Sequence, residues 1–258
     1  MKRRQLISYA GAGITATLAV TIASEFKATA AKADSALSVR WLGHTCFQFT
    51  GGGTRTLVNP FRTLGCTAKY RTPNVDTDLV LISSQLLDEG VVDRLPGNPR
   101  LIFEPGVYQF KGIQIQGIAM DHDRQGGKRF GQNVAWLWTQ GGIKILHLGG
   151  AAAPITVEQK ILMGRPDVLL VPVGGGVKAY TPQEAQAAVQ ALNPKMIIPT
   201  HYRTQAADAA NCDIVSLDEF LKLMDGMQVR RSNSDTVTIR ASDLPGNGSV
   251  IQVLSYKF

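Results

Sequence analysis

"NPKMIIPTHYRT", residues 193–204, is a short buried strand with chemistry at its end. The run 195–199 is apolar after Lys195, too short for a helix and opened by Asn193-Pro194, and it runs out into Thr200, His201 and Tyr202. The same pattern is repeated upstream. A helix is predicted at 156–163, a strand "DVLLVPV" at 167–173, a helix at 182–192 and, after the strand at 195–199, a helix at 216–224. Thr181-Pro182-Gln183-Glu184 is a helix start with threonine as N-cap, proline at N1 and glutamate at N3.

The first half reads differently. Short β-branched and aromatic runs recur between Gly and Pro at 38–42, 45–49, 55–59, 79–83, 101–104, 113–119, 134–140 and 143–148, and three closing strands fall near 227–231, 235–241 and 249–255. A β-rich half followed by an α/β half predicts an α+β sandwich: two sheets packed face to face with helices outside. With 258 residues and 44% hydrophobic content, the chain can bury one sizeable core, and 34–258 reads as one domain.

Residues 1–33 differ in kind. Lys2, Arg3 and Arg4 precede an apolar run interrupted by Ser8, Gly11, Gly13, Thr15, Thr17 and Thr21, and Ala31-Lys32-Ala33 is a small-x-small cleavage site. This predicts a signal peptide and no membrane span. "KRRQLI" resembles the twin-arginine export signal, so the expected location is the periplasm or an equivalent lumenal compartment. Removing five basic residues (Lys2, Arg3, Arg4, Lys27, Lys32) against one acid (Glu25) takes the formal charge from +7 to +3. The remaining basic residues are scattered, which argues against a nucleic-acid partner. Cys46, Cys66 and Cys212 have no C-x-x-C spacing; one disulfide is compatible with an oxidising compartment, and the sequence does not select its pair. Cys46, set among apolar neighbours, is expected in the core.

Six segments in order resemble one family. "VRWLGHTCFQF" (39–49), "TLVNPF" (56–61), "MDHDRQGGKRFGQNVAWLW" (120–138), "ILHLGG" (145–150), "DVLLVPVGGG" (167–176) and "NPKMIIPTHYRT" (193–204) are similar to the metallo-β-lactamase fold, in the branch of the L-ascorbate-6-phosphate lactonase and the N-acyl-phosphatidylethanolamine phospholipase D. The resemblance implies a four-layer αββα sandwich of two mixed sheets and a two-metal hydrolytic site. Its H-x-H-x-D-H loop falls on 84–89 of this chain, "SQLLDE", so Ser84, Leu86 and Glu89 stand at histidine positions. The third histidine matches His122, the bridging aspartate falls at Gly150, and the C-terminal histidine matches His201.

A serine, a leucine and a glycine at ligand positions cannot assemble two ions sharing an activated hydroxide, so a two-zinc centre is not expected. Two readings follow. The first is an exported, hydrolase-like protein that binds an unidentified small molecule without catalysis. The second is a single-metal hydrolase of an ester, lactone or phosphodiester, with Asp88, Glu89 and His201 holding one Zn, Mn or Fe ion and His122 as acid/base. Each residue also has a plainer reading. Asp88 and Glu89 fit the first turn of a short helix N-capped by Ser84, with Leu87, Val91 and Leu95 on one face. His147 fits a satisfied core histidine. His44 shares a motif with the family but no role follows from its spacing, and Gly174-Gly175-Gly176 fits either a turn or close backbone approach to a ligand.

Overall fold

The computed structural model describes residues 36–258, and the export segment expected at 1–33 lies outside the described residues. β1 (Leu37–Gly43), β2 (Cys46–Gly51) and β3 (Thr54–Val58) form an antiparallel meander. β4 (Leu79–Leu81) and β5 (Arg100–Ile102) extend it in parallel, and β13 (Thr236–Ile239) closes the other edge antiparallel to β1. This six-stranded sheet faces an eight-stranded one. Its antiparallel half is β6 (Gly106–Phe110), β7 (Ile113–Asp121), β8 (Gln132–Gln140) and β9 (Ile143–His147). Its parallel half is β10 (Val168–Pro172), β11 (Met196–Thr200), β14 (Val250–Val253) and β12 (Gln228–Arg231).

The sheets meet through aromatic and amide contacts. The Phe49 and Trp138 rings lie edge to face at 5.0 Å, and the Gln140 amide donates to the carbonyls of Phe49, Gly51 and Thr54. β10 and β11 are buried throughout, on both faces, which is why they read as nearly unbroken apolar runs. The helices are α1 (Val157–Met163), α2 (Pro182–Leu192) and α3 (Leu217–Leu223), all in connections of the larger sheet. The α2 start is as expected: Thr181 Oγ1 accepts from the Glu184 N–H at 3.2 Å, and the Glu184 carboxylate accepts from the Thr181 N–H at 2.8 Å.

Two local expectations differ from the structure. The short helix that one reading of Asp88 and Glu89 placed after Ser84 does not form. Its backbone groups bond to a neighbouring segment instead: Arg62 N–H donates to Leu87 O and Val91 N–H to Pro60 O, leaving a tight turn in which Glu89 and Gly90 both donate to Leu86 O. β6, absent from the sequence reading, is a half-exposed edge strand joined to β7 by Lys111-Gly112, both in left-handed backbone, the geometry of a two-residue hairpin turn.

Candidate active-site cleft

Strand ends deliver six loops to one rim: the β1–β2 turn with His44, residues 83–90 after β4, 122–131 after β7, Gly149-Gly150 after β9, 174–181 after β10, and His201 after β11. A cleft of about 350 Å³ opens there. His44, Asp88, Lys178 and His201 stand together among its polar residues, which also include Asn211 and Asp213, and Leu64, Leu87, Val177 and Ile214 stand among its apolar ones.

One ligand atom each from His44, Asp88 and His201 lie within 4.8 Å of one another. His44 and His201 are both buried, their rings 4.2 Å apart, and both occupy left-handed backbone (φ 53 and 52), which costs a non-glycine residue about 1–2 kcal/mol. The fold holds them there. Trp41 Nε1–H donates to His44 O at 3.1 Å, and a side chain on Gly174 would collide with His201 O, so only glycine lets the β10 and β11 exits pass each other. Asp88 Oδ2 sits 3.7 Å from His44 Nε2 and ion-pairs with the Lys178 ammonium. Burial alone would raise the Asp88 carboxyl, but the neighbouring imidazole and ammonium outweigh it and hold it well below the usual carboxylate range. Burial and the neighbouring His44 push His201 well below the ordinary imidazole value, so its ring is neutral.

Glu89 turns the other way. Ser84 Oγ–H donates to Glu89 Oε2 at 3.1 Å, and His122 Nε2 lies 3.5 Å from the same oxygen. Both residues are about 1% exposed. Burial, then the nearby Asp88 charge, raises the Glu89 carboxyl to about 8, and burial, then the Lys178 charge, lowers His122 to about 4. At neutral pH this is an uncharged pair: a protonated acid beside a neutral imidazole. Gly150 lies against it, fixed by its N–H donating to Asn133 Oδ1 at 3.0 Å. A Cβ on Gly150 would collide with His122 Nε2 and come within 2.8 Å of Glu89 Oε1. Buried polar atoms with no hydrogen bond concentrate at this rim, among them both ring nitrogens of His44 and of His122, His201 Nδ1 and Glu89 Oε1.

The walls are tied down. Asp123 accepts from the N–H groups of Phe130, Arg129, Gln125 and Gly127, which lower its carboxyl to about 2 and fold the 122–131 loop around it. Arg124 then bridges to the next loop, donating to Gly176 O, Ala179 O and both oxygens of Glu184. Across the cleft, a disulfide joins the cleft-lining Cys66 to Cys212, and Cys46 is a buried free thiol. His147 is the satisfied core histidine expected: its Nε2–H donates to Thr45 O and its Nδ1 accepts from the Gly149 N–H, each at 3.0 Å.

The predicted site residues therefore divide. Asp88 and His201 converge, but their third partner is His44, while Glu89 pairs with Ser84 and His122. Sequence spacing assigned His44 nothing and passed over Lys178. The available signals were His44's place in a Gly-His turn between two strands, and the fact that Lys178 is the one charged residue between Asp167 and Glu184.

Two facing mixed sheets with a polar cleft at the strand ends are the architecture of a metallo-β-lactamase-type domain. The chain belongs to this superfamily: the family model described as Beta-lactamase superfamily domain matches residues 38–201. It is 27% identical to a UPF0173 metal-dependent hydrolase of Thermoplasma acidophilum over 197 residues, 65% of this chain and 84% of that protein. A UPF0173 metal-dependent hydrolase of Thermococcus onnurineus is 27% identical over 213 residues, 73% and 92% of the two chains. A crystal structure from Thermotoga maritima, described as a Zn-dependent hydrolase of the metallo-β-lactamase superfamily, is 31% identical with a TM-score of 0.66, covering 84% of this chain and 98% of that one. Among the described residues no helix is long and apolar enough to cross a membrane.

Proposed function

We propose that this chain is an exported small-molecule-binding protein on a hydrolase fold, in which the two-metal centre is not assembled. The observation that carries this is at Gly150. A bridging carboxylate would have to start from a position where even a Cβ collides with His122, and the space beyond is filled by the Glu89–His122 pair. Glu89 and Ser84 are engaged with each other and stand outside the His44–Asp88–His201 group. The donor set therefore does not fit two ions at roughly 3.5–4 Å separation.

The cleft itself suits binding. Its volume of about 350 Å³, apolar walls and a few convergent polar groups match a pocket for a small molecule with an apolar body and one polar end. Export is part of this reading, and the Cys66–Cys212 disulfide supports it, because such bonds persist in oxidising compartments.

A second reading, a single-metal hydrolase of an ester, lactone or phosphodiester, is favoured by one observation: His44, Asp88 and His201 form a two-imidazole, one-carboxylate set. An ion held there would polarise a substrate carbonyl or phosphoryl group. His122 would supply acid/base function only across the Glu89 carboxyl beside it.

One preparation separates the readings. The protein is recovered from an exporting cell without added metal, its N-terminus and oxidation state are read by mass spectrometry, and its metal content and turnover of an ester, lactone and phosphodiester panel are measured beside His201→Ala. The binding reading predicts cleavage near residue 33, an intact disulfide, no stoichiometric metal and no turnover. Turnover abolished by His201→Ala would contradict it.

A further inference from the structure

The cleft already contains a cation. Lys178 places its ammonium on Asp88 Oδ2, the single carboxylate of the His44–Asp88–His201 group. It is not a surface lysine that has folded inward by chance. The residues on either side are fastened, since Arg124 binds Gly176 O at 3.1 Å and Ala179 O at 2.8 Å, and Gly175 N–H donates to Tyr180 O at 2.8 Å. Gly174 brings the loop past His201, and the Thr181–Glu184 capping box stops it where α2 begins.

Charge counting points the same way. Asp88 is the one carboxylate of the His44–Asp88–His201 group and already carries the Lys178 ammonium, so a divalent ion added to this group would share that carboxylate with a fixed positive charge. Like charges a few Å apart in a partly buried site repel strongly.

We propose that the Lys178 ammonium is the resident cation of this cleft, taking the place on Asp88 that a divalent ion would occupy and excluding that ion from the His44–Asp88–His201 group. It rests on the reading of the cleft as a binding site, but the two can fail separately.

The test is calorimetric titration of the oxidised mature protein with zinc chloride and with manganese chloride at neutral pH. Wild type should show no saturable site. Lys178→Met should bind one equivalent, at least about 10- to 100-fold more tightly than the upper limit set by wild type, the range of a charge-assisted hydrogen bond. Lys178→Arg, which keeps the charge, should exclude metal as wild type does, and Lys178→Met/His201→Ala should lose the gained site. Circular dichroism checks each variant's fold, with Lys178→Gln as the substitute if Lys178→Met does not fold. One equivalent bound by wild type as tightly as by Lys178→Met would overturn the proposal. Tight one-equivalent binding by wild type that His201→Ala abolishes would overturn it without any Lys178 variant. Turnover by a wild type that excludes metal would instead defeat the binding reading and leave Lys178's role standing.

Discussion

Glu89 and Gly150 decide what the cleft can be. Where the family pattern has a histidine and a bridging aspartate, this chain has a longer acid and no side chain at all, and the acid folds into the space beside His122. Burial holds Glu89 protonated, which gives a stability effect of definite sign. Its carboxyl titrates near 8 when folded against 4.5 when unfolded, so between these values the folded state binds more protons and stability falls as pH rises. Glu89→Gln removes that titration. Urea unfolding at a series of pH values should show wild type losing stability relative to Glu89→Gln from about pH 4.5 to about pH 8. A difference that stays flat across this range would mean that Glu89 is ionised in the fold, as a metal ligand would be. The Glu89 identity was legible in the sequence, but its direction was not: residues 88 and 89 are adjacent in the chain and face different partners because the turn at 86–90 separates them.

At the scale of elements, the sequence was most informative where burial sets the pattern. β10, β11 and α2 fall within a residue of their predicted bounds because an apolar run and a capping box each have one good local solution. The segment 84–95 had two solutions, and tertiary hydrogen bonds to Pro60 and Arg62 selected the non-helical one. The 174–181 loop shows the same limit, since three glycines announce a turn but not that it delivers Lys178 to Asp88. Its geometry depends on Arg124, whose side chain is partly exposed. Arg124→Gln should therefore cost only about 1 kcal/mol of global stability. Hydrogen exchange at the amides of residues 175–180 should accelerate clearly more than at those of β10. Equal protection in both proteins would show that the loop holds Lys178 without the clamp.

At the scale of the whole molecule, two sheets bring six strand ends to one rim, and that convergence was legible from the order of the motifs. The ligand geometry was not, because it depends on where loops from residues 44, 88, 150, 178 and 201 meet, and local patterns do not encode distances between them. The fold is that of a family whose relatives are named metal-dependent hydrolases, while the rim of this chain holds a lysine–aspartate pair and a glutamate–histidine pair, which under the proposed reading take the place of metal. The most direct test of that claim is a crystal of the mature protein soaked in zinc, with data collected at the zinc absorption edge. The account predicts no anomalous peak between His122 and His201, and the Lys178 ammonium still on Asp88. Two peaks separated by about 3.5–4 Å within that cluster, the spacing of a two-metal hydrolytic centre, would contradict it.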